Sequence, residues 1–121
     1  MNSIRSSSRR KTLWRDCEVA DTPWKKTRGI MLRRELEKPV LFVLDYEDRM
    51  RAAIHSFFCL IRFDAVFLNS RKEVVDIIEN IPAWRIYIAP KKPAKYFIEC
   101  KAGEARKLGI KIGERLEWQT I

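Results

Sequence analysis

Ile54-His55-Ser56-Phe57-Phe58-Cys59-Leu60-Ile61-Arg62-Phe63-Asp64-Ala65-Val66-Phe67-Leu68 is the most apolar stretch of the chain, and its reading decides the fold. Ala53–Ile61 and Ala65–Leu68 are rich in Phe and Ile, and apolar residues follow one another instead of alternating with polar ones. Runs of that kind predict extended chain buried on both faces, as in a small barrel or in a sheet covered by a helix. The rest of the chain supplies partners. Val40–Leu44 is a second wholly apolar run, and Asp45–Arg51 reads as a charged connection. Asn69-Ser70-Arg71-Lys72 is a turn, from which Glu73–Ile81 returns as a strand. Pro82, Pro90 and Pro93 punctuate an arch that cannot be a central strand throughout. Lys95–Cys100 and Arg115–Thr120 read as further strands.

Helical signals are few. Thr22-Pro23 opens a helix over Trp24–Leu36: the hydroxyl caps free N–H groups, and proline in the first turn loses no hydrogen bond. Gly29 weakens that helix or breaks it in two. Ala102–Leu108 reads as one or two turns closed by Gly109. Leu13, Cys17 and Val19 share one face of an alternating run opposite Asp16 and Glu18. The expected class is α+β, mainly β: a twisted antiparallel or mixed sheet, open to closure as a small barrel. One helix near the N-terminus covers it, and a short helix lies near the C-terminus.

With 121 residues there is room for one domain. Met1–Thr12, basic and serine-rich with almost nothing to bury, reads as a flexible tail, and 13–121 as the globular domain. No apolar stretch approaches the roughly 20 residues a spanning helix needs. Met1–Thr12 lacks the apolar core of a secretory signal, which points to the cytoplasm. Cys17, Cys59 and Cys100 are odd in number and far apart, so buried free thiols are expected rather than a disulfide framework.

Charge narrows the partner classes. The net charge is +9, and residues 1–40 carry 11 Lys/Arg against 5 Asp/Glu. Such a field attracts nucleic acid or another polyanion, although a basic segment also serves solubility alone.

Five blocks in unbroken order resemble one family. They are Thr22-Pro23 with Arg28-Gly29-Ile30-Met31; Val40-Leu41-Phe42-Val43; Ile54-His55 through Phe63-Asp64-Ala65-Val66-Phe67-Leu68; Pro93-Ala94-Lys95-Tyr96-Phe97-Ile98-Glu99; and Ala102-Gly103 with Gly109-Ile110-Lys111-Ile112-Gly113-Glu114. Together they resemble the uncharacterised family called domain of unknown function 192. That resemblance implies a compact domain of mostly strands with a helix after the first one, and it implies no reaction. The chain departs from the family's pattern at Ser56, Phe57 and Phe58, where many members carry Met, Lys and Asn. It also departs at Arg62, where a proline is usual, and at Gly113-Glu114, where Gly-Asp is usual.

Three constellations carry chemistry. His55 is the only histidine, and on an extended chain Cys59 lies about 13 Å away, too far to share a zinc ion. No CxxC pair and no nucleotide-loop glycine pattern occurs, so no metal and no cofactor is expected. Cys59, between Phe58 and Leu60, reads as inert filling.

Asp64 and Glu99 are carboxylates in apolar strands. Each must be ion-paired, hydrogen-bonded or at a pocket mouth. Convergence of His55, Asp64 and Glu99 in one cleft would make a small-molecule pocket or an enzyme site.

Finally, Trp84, Arg85, Tyr87, Lys91, Lys92 and Lys95 interleave rings with cations, which suits single-stranded nucleic acid unless the rings fold inward. The sequence therefore points to a non-catalytic binding module with a basic surface, nucleic acid being the first candidate. A pocket around His55, Asp64 and Glu99 is the alternative, and an interaction subunit using the cationic helix is a third.

Overall fold

A computed structural model describes residues 2–56, 59–85 and 87–118, the side chain of Thr27 apart. Its elements in chain order are strands β1 (Ile4–Ser6), β2 (Lys11–Trp14) and β3 (Glu18–Ala20), helix α1 (Pro23–Arg28), strands β4 (Val40–Asp48), β5 (Phe63–Leu68), β6 (Val74–Ile81) and β7 (Ala94–Lys101), helix α2 (Glu104–Lys107) and strand β8 (Leu116–Trp118). The fold is α+β and mainly β, as expected.

The centre is a five-stranded sheet in the order β3-β4-β7-β5-β6. β3 runs parallel to β4, and the remaining pairs are antiparallel. β5 sits between β7 and β6, and all six of its residues are buried. The alternation hidden in its apolar sequence emerges in the packing. Phe63, Ala65 and Phe67 join one cluster, with Phe42, Phe97 and Ile81. Val66 and Leu68 join another, with Leu41, Ile98 and Cys100. Both faces are thus covered, which is why no polar residue interrupts the run except Asp64.

The second face is covered by a three-stranded sheet, β2-β1-β8, together with α2. Ile4, Leu13, Trp14 and Leu116 pack down onto β5 and β7. Here the expectation of a flexible tail is corrected. Ile4 is fully buried, and Ile4–Ser6 pairs with β2 on one side and β8 on the other. Arg9 donates from Nε to Glu114 at 2.7 Å and from Nη2 to the Leu108 carbonyl at 2.9 Å. The segment's charges are used at its turn while its few apolar atoms go inward. The two sheets are separate, and the larger ends on β3 and β6, so no barrel closes.

The first face is covered by α1, the segment after it and the loop from Ala52 to Arg62. α1 is six residues long, half the expected length. Thr22 Oγ1 accepts from the Lys25 N–H at 3.2 Å, and Gly29, at φ +43°, ends the helix. An added Cβ at Gly29 would stand 3.0 Å from Phe42 Cζ, so glycine is required by packing as well as by backbone. Ile30 and Leu36 then dip into the core beyond it.

The loop is the larger correction. Ala53–Ile61 was expected as buried strand, but its described residues form no strand beyond an isolated bridge between Ile54 and Ile88. His55 and Leu60 face solvent, while Ala52, Ser56 and Cys59 are buried. Ser56 ties the loop to the proline arch. Its hydroxyl donates to the Pro82 carbonyl at 2.6 Å and accepts from the Arg85 N–H at 2.7 Å. The expected Arg115–Thr120 strand is seen as β8, with residues 119–121 outside the described part; Phe57 and Phe58, within the expected Ala53–Ile61 strand, also lie outside it. All three cysteines are buried and free, as expected.

Candidate ligand pocket

Between the first face of the large sheet and its irregular cover lies a cavity of about 300 Å³. Strand register builds its floor. Phe42 of β4 is opposite Phe97 of β7, and their rings stack at 4.3 Å with 13° between planes. Glu99, two residues along β7, points to the same face beside Val40. Gly29 and Ile30 close one wall, and Ile54, His55 and Cys59 close the other. Lys26, Arg28 and Arg51 stand at the rim.

Glu99 is the unusual member. It is only 5% exposed, and among the described residues nothing donates a hydrogen bond to its carboxylate. Burial pushes its carboxyl up to about 8, against the opposing pull of the Arg33 guanidinium. Arg33 is committed elsewhere: both ends of its fork reach the Glu18 carboxylate, with Nη2 to Oε1 at 2.8 Å. That bidentate pair holds Glu18 below the ordinary carboxylate range and leaves Glu99 protonated at neutral pH. A neutral carboxyl has one O–H to donate and oxygens to accept with.

Of the three polar residues expected to converge, two do. His55 and Glu99 line the same cavity. Asp64 does not reach it. β5 and β7 pair Asp64 with Cys100 and Ala65 with Glu99, so the two carboxylates lie on opposite faces of the sheet. Asp64 is fully buried, and its oxygens accept from the backbone N–H groups of Asn80 at 2.8 Å and Ala105 at 3.1 Å. It anchors the β6 bulge and the first turn of α2; no ion pair to Arg62 forms. Burial, with Glu99 adding to it, pushes the Cys59 thiol up to about 11, which keeps it protonated and a weak nucleophile. Among the described residues, no group of three or more His, Cys, Asp or Glu could hold a metal ion.

The cation-aromatic arch is split. Trp84 and Tyr87 are 61% and 51% exposed, so these rings face outward. Arg85, Lys91 and Lys92 are exposed beside them. Lys95 and Tyr96 belong to β7 instead, where Tyr96 meets Trp118 edge-on at 4.9 Å on the second face, with Lys95 over the Tyr96 ring at 5.8 Å. The cationic helix is likewise reduced, since Arg33 and Arg34 lie beyond α1.

Gly29, Phe42, Phe97 and the rim residues Lys26, Arg28 and Arg51 were not picked out by sequence as pocket residues. The available signal was Gly29 itself, soon after the Thr22-Pro23 cap, where a glycine permits both a helix stop and a close approach to the sheet.

The family model for an uncharacterised ACR, domain of unknown function 192, matches residues 4–118. The chain belongs to this family. A UPF0127 protein of Pyrococcus abyssi is 44% identical over 103 residues, which are 85% of this chain and 86% of that protein. One from Thermococcus sibiricus is 41% identical over 103 residues, 85% of this chain and 66% of that longer protein. A solved structure of a protein of unknown function from Novosphingobium aromaticivorans superimposes with a TM-score of 0.84 at 25% identity, covering 97% of this chain and 83% of its own. The two-sheet architecture is therefore shared with that protein. Among the described residues no helix is long and apolar enough to cross a membrane.

Proposed function

We propose that this protein is a non-catalytic binding module whose ligand site is the cavity beneath α1. One observation carries the reading: the Glu99 carboxyl lies at the cavity floor, 5% exposed, and none of the described residues hydrogen-bonds to it. Buried polar groups are as a rule hydrogen-bonded, so a carboxyl placed in this way is a fixed point from which a ligand can be oriented. A mostly apolar cavity with a few convergent polar groups is the usual form of a small-molecule site, and 300 Å³ lies at the small end of the range. The protonated Cys59 thiol and the distance of Asp64 favour binding over a nucleophilic or two-carboxylate reaction.

The test is a fragment screen by ligand-observed NMR, including aromatic carboxylates and heterocycles, repeated on Ala53→Trp, which fills the half-exposed wall of the cavity. Hits lost in the variant support the reading. No hits, or hits indifferent to the substitution, refute it.

A second reading has its own observation. The outward rings of Trp84 and Tyr87, with Arg85, Lys91 and Lys92, favour contact with single-stranded nucleic acid along the arch. Fluorescence anisotropy over a salt series, with Lys91→Ala and Lys92→Ala combined, tests it. Binding unaltered by that pair removes the arch from consideration.

A further inference from the structure

Resting on the cavity as a ligand site, we infer that it takes a nucleoside monophosphate unit, the base in the pit against Glu99 and the phosphate on the cationic rim.

A positively charged ligand head is disfavoured, because Lys26, Arg28 and Arg51 ring the mouth and Arg33 lies close behind Glu99. A wholly apolar ligand is disfavoured as well. It would seal Glu99 away from water with its hydrogen-bonding capacity unused. What remains is an uncharged head that both accepts and donates, set in an apolar pit, with an anion at the mouth.

A nucleobase fits that head. Each base carries an acceptor next to an N–H donor on one edge, and a carboxyl presents the matching O–H and C=O. The flat faces of a base suit walls of Phe42, Phe97 and Ile54.

The rim fits the tail. Among the described residues Arg28 makes no ion pair, and Lys26 shares only the exposed Asp45 at 3.8 Å. Arg51 lies over the Tyr46 ring at 4.6 Å, a contact that leaves its N–H groups able to reach a phosphate. Three cations answer a dianion. Such a unit exists free or as the end of a single strand, and the Trp84–Lys92 arch stands beside the loop that carries His55, joined to it through the Ile54–Ile88 bridge.

Isothermal titration calorimetry tests this with the four nucleoside monophosphates, their nucleosides, inorganic phosphate and a short single strand. We expect monophosphates to bind about tenfold or more tighter than nucleosides or phosphate. Arg28→Ala, at an exposed position that the fold does not use, should remove that advantage. Glu99→Gln keeps a donor and an acceptor and should stay within about threefold of the parent, whereas Glu99→Leu should lose about tenfold. A strand binding tighter than the mononucleotide identifies the strand as the source; equal or weaker binding identifies the free nucleotide. Monophosphates no tighter than nucleosides, or equal binding by the Gln and Leu variants, overturns the inference. If aromatic carboxylate fragments bind while nucleotides do not, this inference fails and the cavity reading stands; if neither binds, both fail.

Discussion

The Asp64 carboxylate of β5 accepts the backbone N–H of Ala105 at 3.1 Å, so a strand of the large sheet holds the first turn of α2 in place. Its other oxygen takes the Asn80 N–H at 2.8 Å, where β6 bulges opposite Asp64. Asp64→Ala would strand both donors in a water-poor site, at about 1–3 kcal/mol each. Asp64→Asn retains one oxygen and should lose roughly half as much. Urea midpoints order the three proteins; a variant as stable as the parent would refute the anchoring role.

Glu99 makes stability depend on pH in an unusual direction. Its ordinary value is 4.5, and burial in the folded state pushes it up to about 8. Between those values the folded chain holds a proton that the unfolded chain has released. The contribution is fully present below the unfolded value and is lost as pH rises toward about 8, by at most about 1.4 kcal/mol for each pH unit. Glu18, Glu47 and Glu114 are shifted downward instead, so their contributions fade only in acid. Glu99→Gln should flatten the neutral slope and exceed the parent's stability above about pH 8. Urea unfolding at several pH values decides it, and an unchanged slope in the variant would dismiss the buried carboxyl as its source.

Gly29→Ala should be costly for so small a change. The added carbon would meet Phe42 Cζ at 3.0 Å, and the backbone there has φ +43°. Phe42 is stacked on Phe97 and has little room to yield. A loss of about 1–3 kcal/mol follows, together with narrowing of the cavity, since the same carbon would lie 3.7 Å from Glu99 Oε1. Thermal melts measure the first effect. Pairing the change with Phe42→Leu should recover part of the loss, and full additivity of the two would show that they do not touch.

Ile4→Ala should destabilise by about 2–5 kcal/mol, as for a core aliphatic, because Ile4 is buried against Leu116, Val66 and Ile98. An effect no larger than that of a surface change would restore the view of residues 1–12 as a tail. Denaturant unfolding of the full chain provides the comparison.

These cases show what kinds of information a sequence holds. Val40–Leu44, Phe63–Leu68 and Lys95–Cys100 announce themselves as strands, because each local pattern agrees with its final environment. Ile54–Ile61 is equally apolar and yet its described residues are irregular, because hydrophobicity reports burial and not backbone conformation. What shapes that loop is Ser56 bonding to Pro82 and Arg85, nearly thirty residues away. Ile4–Ser6 was missed for a related reason: three residues among arginines and serines become a strand only through distant partners. The pocket was half legible. Glu99 and Asp64 look alike as carboxylates in apolar strands, and only a register that pairs Asp64 with Cys100 sends them to opposite faces.

The register that joins Ile4 to Trp118 also bears on how the chain is made. β1 cannot complete its hydrogen bonds until β8, far along the chain, has been made. Closing so large a loop carries an entropic cost that only late, cooperative packing can offset. Until then the β1 edge of the β1–β2 hairpin is bare. Arg5, Arg9, Arg10 and Lys11 along and beside it place like charges on any second copy that approaches, protecting the edge during synthesis from the pairing it is waiting to make.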